Sequence, residues 1–539
     1  PEGIFRRSES GWEKLDFDSE IAAHRSRGMQ AKEKSLPSIL SLITKDQFEM
    51  ITTDPDRPVI IQGSAGSGKT TVALHRLAWL LHENNSPVKA ENTRVIVMNK
   101  SLAVYVSATL PSMGIDNVQT TTFNSWALSI IRKSMRTQPF FKFLNIPSFV
   151  EEIKFSEEIL KAIDGLVEKQ GQTLDEEIKK QFSSRTAHLE NWAKGKGKPL
   201  LPRLRDFSHE VKNSKLPEAE KQQKLGFVKK QISNQEDYLQ DLYNLISDGE
   251  HLKKYLKPDP KLKSNLEYLK RLTDKNRVKK NLDYFDMSLV LRFIQIKNGG
   301  LPDGNGGTVS LDHIVIDEAQ DFGPVEFAIM MDAVSDKHQI TIVGDVAQKI
   351  LSARKFIGWN KVVDCLGLEE DSIIQLEVSF RCTVPIMTLA HKVAGDPKKV
   401  EGRAGSAPEW KKVDDFVDLV EVLADWSRGL LRADPYKLVA LICRYPKQAM
   451  ELKEEMEKYL PGEVRLGHRD QFSFEPGVLV TNIHQVKGLE FDSVALVEPD
   501  EENYPAKREE SRNMIYVGIT RTQEDLLLAT IRPYSPVLF

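Results

Sequence analysis

Gly63 to Thr70 have the residue types and the spacing needed to hold a nucleotide phosphate. They read "GSAGSGKT", which fits the pattern G-x-x-x-x-G-K-[ST]. Glycines in such a loop let consecutive backbone N–H groups turn toward phosphate oxygens. Lys69 would reach the β- and γ-phosphates, and the Thr70 hydroxyl would complete the shell of a Mg²⁺ ion. The loop residues predicted to bind ATP are Gly63, Ser64, Ala65, Gly66, Ser67, Gly68, Lys69, Thr70 and Thr71.

A second motif supplies the acidic partner of this loop. The stretch "HIVIDEAQD" is a short apolar run that ends at Asp317 and Glu318. Asp317 would hold the Mg²⁺, and Glu318 would polarise the attacking water. A kinase needs no water-activating glutamate at this place, so the pair favours hydrolysis. An Asp-Glu pair alone is common in solvated loops, but its position after an apolar run makes it a strong signal beside the glycine-rich loop.

Three further stretches contain residues that could complete a hydrolytic site. An arginine near the end of a strand is more often part of a surface ion pair, so each stretch is weak when taken singly. The ordered set is specific, because it follows the two motifs above along the chain. The stretches are "VSFRC", with Phe380 and Arg381, "NIHQVKGLEFDSVALVEP", with Lys487, Gly488 and Glu490, and "YVGITRTQEDLLLA", with Arg521.

In this combination the motifs resemble those of superfamily 1 helicases of the UvrD/Rep type, from Gln47 to about residue 530. Within that group, "GSAGSGKTTVALHRLAWLL" and "NKSLAVYVSATLPSMG" are most similar to the helicase IV/HelD branch. The resemblance implies two RecA-like domains with ATP bound between them. It also implies ATP and Mg²⁺ as cofactors, and single-stranded or tailed DNA as a partner.

The resemblance assigns roles on the base and ribose side of the nucleotide. Gln47 matches the glutamine that reads adenine, and Phe380 matches the aromatic residue that stacks on the base. Glu490, two residues after Gly488, matches the glutamate on the ribose side. Gln348, in "VGDVAQKI", matches the glutamine that couples nucleotide to nucleic acid.

Arg381 and Arg521 match the arginines that contact the γ-phosphate. Arginines carried by the second domain reach that phosphate only when the cleft closes, and such contacts accelerate hydrolysis by roughly 10³–10⁵. Hydrolysis is therefore expected to be coupled to domain closure. The expected catalytic residues are Lys69, Asp317, Glu318, Gln348, Arg381 and Arg521.

Short apolar runs indicate the elements that would position these residues. Runs that are apolar throughout, with helical patterns between them, are typical of parallel strands buried on both faces. The predicted fold class is therefore α/β, with two domains that each contain a parallel sheet flanked by helices. The first group of runs is "PVIIQ", "RVIVM", "HIVID" and "ITIVGD", and the second is "IIQL", "LVALI", "VLVT", "SVALVE" and "DLLLAT".

Residues 150–290 are charged and helical in period, which predicts a mostly helical insertion in the first RecA-like domain. The interval from Arg381 to Thr481 is only 100 residues, so little or no accessory insertion is expected in the second domain. Residues 1–35 are interpreted as an N-terminal segment, a candidate remnant of a linker to a missing arm. The first domain is expected at residues 36–149 and 291–365, and the second at residues 366–539.

Positive charge is concentrated in residues 251–280, which contain eleven Lys or Arg and three Asp or Glu. Such a run is most often a solvated helical face. The alternative is a track for nucleic-acid phosphates, with Lys253, Lys254 and Arg271 as candidate contacts. Phe123 and Trp126 are further candidates by resemblance, and packing into the core is an equal alternative for both.

The bulk composition limits the class of protein. The chain has 539 residues and a net charge of −3. No apolar run approaches the about 18 residues that span a bilayer, so no membrane partner is expected. Three isolated cysteines, Cys365, Cys382 and Cys443, favour a reducing cytoplasm over a disulfide framework.

The sequence leaves three functions open. The first is an ATP- and Mg²⁺-dependent helicase or translocase acting on DNA, with 3′–5′ direction by resemblance. The second is a HelD-type ATPase that remodels or recycles RNA polymerase without needing to unwind DNA. The third is a nucleotide-gated binding subunit of a repair or defence complex, against which the intact catalytic set argues.

Overall fold

A computed structural model describes most of the chain from residue 45 onward. Of the predicted site residues, six lie outside the described residues, so their roles stay predictions: Ser64, Ala65, Gly66, Gln348, Phe380 and Arg381. The described residues are 5–8, 11–14, 45–63, 67–135, 139–142, 146–279, 281–336, 338–345, 358, 359, 362, 373–376, 382–395, 400, 402–468 and 472–539.

The first sheet has six strands, and every pair within it is parallel. Its spatial order is Ile373–Leu376, Val59–Gly63, Ile340–Gly344, His313–Ile316, Thr93–Val97 and Gln119–Thr122. The helices of this domain include Lys45–Ile51, Lys69–Leu80, Lys100–Thr109, Phe123–Ser134 and Pro324–Met331.

One strand of this sheet corrects the sequence analysis. The sequence predicts the run "IIQL" in the second sheet, and this prediction is wrong, because Ile373–Leu376 pairs with Val59–Gly63. A four-residue apolar run is compatible with any buried parallel strand, and its own residues do not encode which sheet it joins. The predicted limits of the domains themselves stay predictions.

The second sheet also has six strands in parallel pairs. Its order is Glu409–Lys412, Thr522–Thr530, Phe491–Val497, Leu438–Cys443, Gly477–Asn482 and Val464–Leu466. The helices of this half are Val384–Ala394, Phe416–Ala433, Pro446–Tyr459 and Glu509–Ile519. The predicted α/β fold, two parallel sheets flanked by helices, is confirmed. The described residues between 382 and 482 form strands of this sheet, helices beside it and connecting turns.

The apolar character of the strands follows from burial on both faces. Ile60 and Ile316 point into a core shared with the helical insertion, whereas Ile61 and Val315 point into a second core on the opposite face. The second core continues across the domain boundary and includes Leu489. Because successive side chains of a strand face opposite sides, both sides must be apolar.

The region between the first strands and His313 is mostly helical, as predicted. Its short parallel pair, Phe141–Lys142 with Leu282–Asp283, joins the two ends of the insertion where the chain leaves and rejoins the domain. Its helices are Ser148–Lys154, Glu157–Gln181, Thr186–Lys194, Leu200–Asn213, Glu218–Gln235, Tyr238–Ser247, Gly249–Leu252 and Leu262–Lys279, followed by Tyr284–Asn298.

Among the helices of the described residues, none combines the length and the apolar character needed to cross a bilayer. Cys382 and Cys443 are buried, and Cys365 lies outside the described residues.

A buried ion pair ties the insertion to the helix that returns to the sheet. Lys297 Nζ lies 2.6 Å from Asp241 Oδ2, and the two side chains are 0% and 4% exposed. Lys297 also donates to the carbonyl of Gln235, and Asp241 accepts from Gln170. A buried charge that loses its partner is costly, because neither water nor a counterion replaces it.

We therefore expect Lys297→Met to lower the free energy of unfolding by about 3–5 kcal/mol, because Asp241 stays buried without its cation. Denaturant unfolding monitored by circular dichroism measures the change. The matched control is Lys198→Met, whose pair with Asp206 spans 2.8 Å between side chains that are 57% and 65% exposed. That control should cost about 0–1 kcal/mol. Equal losses in the two variants would contradict a special cost for the buried pair.

Candidate ATP site at the domain interface

The glycine-rich loop begins where the strand Val59–Gly63 ends and leads into the helix Lys69–Leu80. Gly68, just before the helix, has a φ of 81°, a left-handed conformation that favours glycine. Lys69 Nζ donates to the Gly63 carbonyl at 2.8 Å, and Lys69 is only 9% exposed. The lysine amino group is thus bound to the first residue of the loop that is predicted to hold the nucleotide phosphates.

Thr70 lies on the helix Lys69–Leu80, and it meets Asp317, which directly follows the strand His313–Ile316. Thr70 Oγ1 donates to Asp317 Oδ2 at 2.9 Å, which places a hydroxyl and a carboxylate side by side beneath the loop. Both are hard oxygen donors of the kind that Mg²⁺ prefers. No group of three or more His, Cys, Asp or Glu within the described ranges is placed to hold a metal ion. The donors fit a Mg²⁺ that is held by few protein oxygens and completed by nucleotide phosphates and water.

The electrostatics at Asp317 agree with this fit. Burial and then the negative charge of Glu318 raise the pKa of Asp317 to about 7, while the hydrogen bond from Thr70 opposes the rise. A divalent cation beside the carboxylate would reverse that balance. The carboxylate is 3% exposed, so water does little to stabilise its charge.

Glu318 is held in an unusual backbone conformation. Its φ of 55° and ψ of 44° are left-handed, which is uncommon for a residue with a side chain and concentrates at functional sites. Its N–H donates to Asp317 Oδ1 at 2.8 Å. Gln320 Nε2 donates to Glu318 Oε2 at 2.5 Å, and Gln320 Oε1 accepts from the N–H of Asp345 at 2.9 Å. Gln320 therefore orients the carboxylate that is predicted to activate water.

A lysine of the second domain reaches the acidic cluster that Asp317, Glu318 and Asp321 form. Lys487 is 2% exposed, forms an ion pair with Asp321, and places Nζ 3.5 Å from Glu318 Oε2. Burial raises the pKa of Glu318, but the charges of Lys487, Arg521 and Lys69 outweigh it and hold that pKa below its usual value. Glu318 is therefore kept ionised by cations from both domains.

Polar contacts from the first domain secure the backbone around Lys487. Asn99 Nδ2 donates to the Lys487 carbonyl at 3.1 Å, and Ser101 Oγ donates to Gln485 Oε1 at 2.8 Å. A Cβ added to Gly488, whose φ is 81°, would lie 2.6 Å from a methyl carbon of Leu102. Gly488 is thus required by its own backbone and by the close approach of the first domain.

Arg521 is 1% exposed in the second domain. Its Nη1 donates to the Leu489 carbonyl and its Nε to the Val517 carbonyl, each at 3.1 Å. Its charge acts on Glu318 across the interface. Nearby, Glu490 Oε2 accepts from Gln523 Nε2 at 3.1 Å. Backbone carbonyls thus orient Arg521, and its positive charge lies close enough to the acidic cluster to act on Glu318.

Gln47 lies on the helix Lys45–Ile51 next to the glycine-rich loop. Its Nε2 donates to the Ser67 carbonyl at 3.3 Å, and a Cβ on Gly68 would lie 3.5 Å from that nitrogen. Gln47 is 7% exposed. The predicted base-reading side chain therefore touches the end of the loop that leads directly into Lys69.

The structure brings most of the described predicted site residues to one interface. The first domain contributes Gln47, Gly63, Ser67, Gly68, Lys69, Thr70, Asp317 and Glu318, and the second contributes Gly488 and Arg521, whereas Thr71 follows Thr70 on the same helix and Glu490 accepts from Gln523 within the second domain. The sequence predicts no site role for five residues that support this cluster and no specific contact for Lys487; the five are Asn99, Ser101, Gln320, Asp321 and Gln485. All six lie within stretches that the sequence singles out, which are "NKSLAVYVSATLPSMG", "HIVIDEAQD" and "NIHQVKGLEFDSVALVEP".

The nucleic-acid candidates divide into two groups. Phe123 and Trp126 are 2% and 3% exposed and pack edge to face with ring centroids 6.4 Å apart. Neither ring offers a face to a base here, so packing into the core is the alternative that the structure displays. Lys253, Lys254 and Arg271 are exposed.

Two models of known protein families match the chain. Residues 43–355, more than half of the chain, match the model of the UvrD/REP helicase N-terminal domain, and residues 462–533 match that of the UvrD-like helicase C-terminal domain. A search of curated proteins found no match. One solved structure, the C-terminal domain of a possible DNA helicase from Lactobacillus plantarum WCFS1, is similar at 25% identity. The match covers 30% of this chain and 92% of that one, with a TM-score of 0.26.

Proposed function

The chain belongs to the UvrD/REP helicase family, and from that premise we propose that it is a 3′–5′ DNA translocase driven by Mg²⁺-dependent ATP hydrolysis. Membership of the family makes it an ATP-hydrolysing DNA helicase of superfamily 1. The observation that carries the proposal is the position of Glu318, which is buried at the interface between Gln320 of its own domain and Lys487 of the other.

We assign the steps of hydrolysis to the chain's own residues. Lys69 leaves the Gly63 carbonyl and binds the β- and γ-phosphates, and Thr70 and Asp317 would hold a Mg²⁺ ion. The bound Mg²⁺ would neutralise phosphate charge that develops as the bond to the γ-phosphate breaks. Glu318, oriented by Gln320, accepts a proton from the attacking water.

Closure of the two domains completes the site. Arg521 and Arg381 then reach the γ-phosphate, where arginine contacts are worth roughly 10³–10⁵ in rate. Lys487 already contacts Asp321 and Glu318 from the second domain, so the acids that surround the reaction also hold the domains together. Hydrolysis and product release would change this interface, and the relative motion of the two domains would move the bound strand.

The helix Leu262–Lys279 supports contact with nucleic acid. Tyr268, Arg271, Lys275 and Lys279 lie along one side of this helix, and Lys261 lies just before its first turn; we term these five residues the basic face. All five are exposed, and Tyr268 offers 40% of its surface to solvent. Among the described residues, no carboxylate lies within ion-pair distance of these four cations. Unpaired cations beside an aromatic ring suit phosphates and stacked bases.

We expect the double variant Arg271→Glu and Lys275→Glu to weaken binding of single-stranded DNA and to reduce its salt dependence. Each lost phosphate contact lowers the slope of log K against log salt by about 0.7. Fluorescence anisotropy of a labelled oligonucleotide at several salt concentrations measures this slope. The matched control is Lys229→Glu with Lys230→Glu, two exposed lysines on another helix of the insertion. An equal effect from both double variants would mean that the basic face contributes only positive charge to DNA binding and makes no specific phosphate contacts.

Tailed duplexes test the proposed direction. We expect ATP-dependent strand separation on duplexes that carry a 3′ single-stranded tail, and none on those with only a 5′ tail. Separation confined to 5′-tailed duplexes would reverse the direction and leave the motor intact. Blunt and tailed duplexes that stay paired, despite turnover of ATP, would contradict unwinding.

A HelD-type role is the second candidate. It is supported by the resemblance of "GSAGSGKTTVALHRLAWLL" to that branch, and by the enlarged helical insertion beside a second domain with little room for accessory structure. ATP-dependent release of RNA polymerase from DNA, without strand separation, would favour this candidate over the first. Absence of binding to purified RNA polymerase would exclude it.

A further inference from the structure

Arg76 is a fully buried arginine whose two terminal nitrogens bind backbone carbonyls. It lies on the helix Lys69–Leu80, two turns beyond Lys69, and is 0% exposed. Burial lowers the pKa of Arg76 to about 10, against the opposing charge of Asp54, which is exposed. A buried guanidinium normally has a carboxylate partner. Here the terminal nitrogens of Arg76 donate to backbone carbonyl oxygens.

Five carbonyls between residues 50 and 57 converge on this guanidinium. Nη1 donates to the carbonyls of Met50 and Ile51, each at 3.4 Å, and to that of Thr53 at 2.6 Å. Nη2 donates to the carbonyls of Asp54 at 3.1 Å and Arg57 at 3.2 Å. Arg76 thus gathers one continuous segment of backbone.

That segment includes the carboxyl end of the helix Lys45–Ile51. The last carbonyls of a helix have no partner within it and carry its partial negative charge. Phe48 and Glu49 find partners for theirs in Thr52 and Thr53. Arg76 supplies donors for Met50 and Ile51, so it caps the helix that carries Gln47.

The helix of Arg76 and the helix of Gln47 meet again at the glycine-rich loop. Gln47 donates to the Ser67 carbonyl beside the start of the helix Lys69–Leu80. The Gln47 helix is therefore held at two places, by Ser67 just before the helix Lys69–Leu80 and by Arg76 two turns into that helix. Met50, Ile51 and Leu74 pack in the same core between these helices.

We propose that Arg76 is a positioning residue for recognition of the nucleotide base. It fixes the helix of Gln47 against the phosphate-binding loop, so that base contacts and phosphate contacts keep one geometry. Arg76 touches no part of the nucleotide and acts through Gln47. The inference rests on the proposed function, in which Gln47 reads adenine.

ATP and GTP share their phosphates and ribose, so a comparison of the two isolates base recognition. We expect Arg76→Met to raise KM for ATP about tenfold, since several charge-assisted hydrogen bonds to the backbone are lost. KM for GTP and kcat at saturation should change by less than about twofold, because the phosphate site is retained. Arg76→Lys, which keeps the charge but loses the fork, should fall between.

Gln47→Ala and the double variant Gln47→Ala with Arg76→Met complete the test. If Arg76 acts through Gln47, the double variant should discriminate between ATP and GTP no worse than Gln47→Ala alone. The matched control is Arg132→Met, an exposed arginine on the helix Phe123–Ser134, which should change neither KM. Should Arg76→Met fail to fold, Arg76→Lys supplies the same comparison.

Two outcomes would overturn the inference. If Arg76 variants lose thermal stability but keep the ratio of KM for GTP to KM for ATP, while Gln47→Ala loses it, then Arg76 is merely structural and the proposed function stands. If Gln47→Ala also keeps the ratio, base reading by Gln47 is wrong and the inference falls with it. DNA-stimulated hydrolysis, measured in the same samples, shows whether the motor function survives in either case.

Discussion

Glu318→Gln is expected to lower kcat for ATP hydrolysis by about 10²–10⁴ while ATP affinity stays near that of the wild type. The amide keeps the size of the carboxylate but accepts no proton from water. Gln320 donates to Glu318 Oε2 at 2.5 Å, and an amide in place of the carboxylate can keep that bond through its oxygen. Steady-state hydrolysis, together with binding of a fluorescent ATP analogue, separates turnover from affinity.

The matched control is Asp336→Asn, an exposed carboxylate of the same domain that pairs with His338. It should hydrolyse ATP at the wild-type rate. Turnover of Glu318→Gln within about threefold of the wild type would contradict the role of Glu318 in water activation.

Arg521→Lys is expected to reduce single-turnover hydrolysis at saturating DNA by roughly 10³, the lower end of the range for a γ-phosphate arginine. Lysine keeps the charge but lacks the planar fork, which matters where carbonyls and phosphate must be bound together. Arg521 binds the Leu489 and Val517 carbonyls on one side, and its charge acts on Glu318 on the other. Rapid-quench measurement of γ-phosphate release gives the rate.

Arg512→Lys is the control for Arg521, since Arg512 belongs to the preceding helix and donates to the Val393 carbonyl at 3.1 Å, away from the acidic cluster. A thermal melt of both variants shows whether the fold is retained. If a folded Arg521→Lys hydrolyses ATP within about tenfold of the wild type, Arg521 does not supply the transition-state contact.

Local patterns predicted the parts of the site that local chemistry specifies. The loop from Gly63 to Thr70 depends on glycine conformations and on the start of a helix, and neighbouring residues in the sequence determine both. Asp317 was located because a buried parallel strand is apolar throughout and its carboxyl end is polar. The two-sheet architecture followed from the same runs.

Contacts between distant residues were beyond such patterns. The pairing of Ile373–Leu376 with Val59–Gly63, and the approach of Lys487 to Asp321, depend on how separate elements pack. Phe123 and Trp126 lie on an amphipathic helix. The sequence of such a helix does not determine whether its apolar face packs against protein or against a nucleic-acid base.

Steady-state ATP hydrolysis with and without single-stranded DNA tests the central claim most directly, with Glu318→Gln as the blank. A motor that couples closure of the two domains to a bound strand should hydrolyse ATP many times faster when DNA is present. The same assay should show no DNA-dependent rate in the blank. Robust hydrolysis that does not respond to DNA would contradict a DNA-driven cycle and would direct the search to a protein partner, with RNA polymerase tested first.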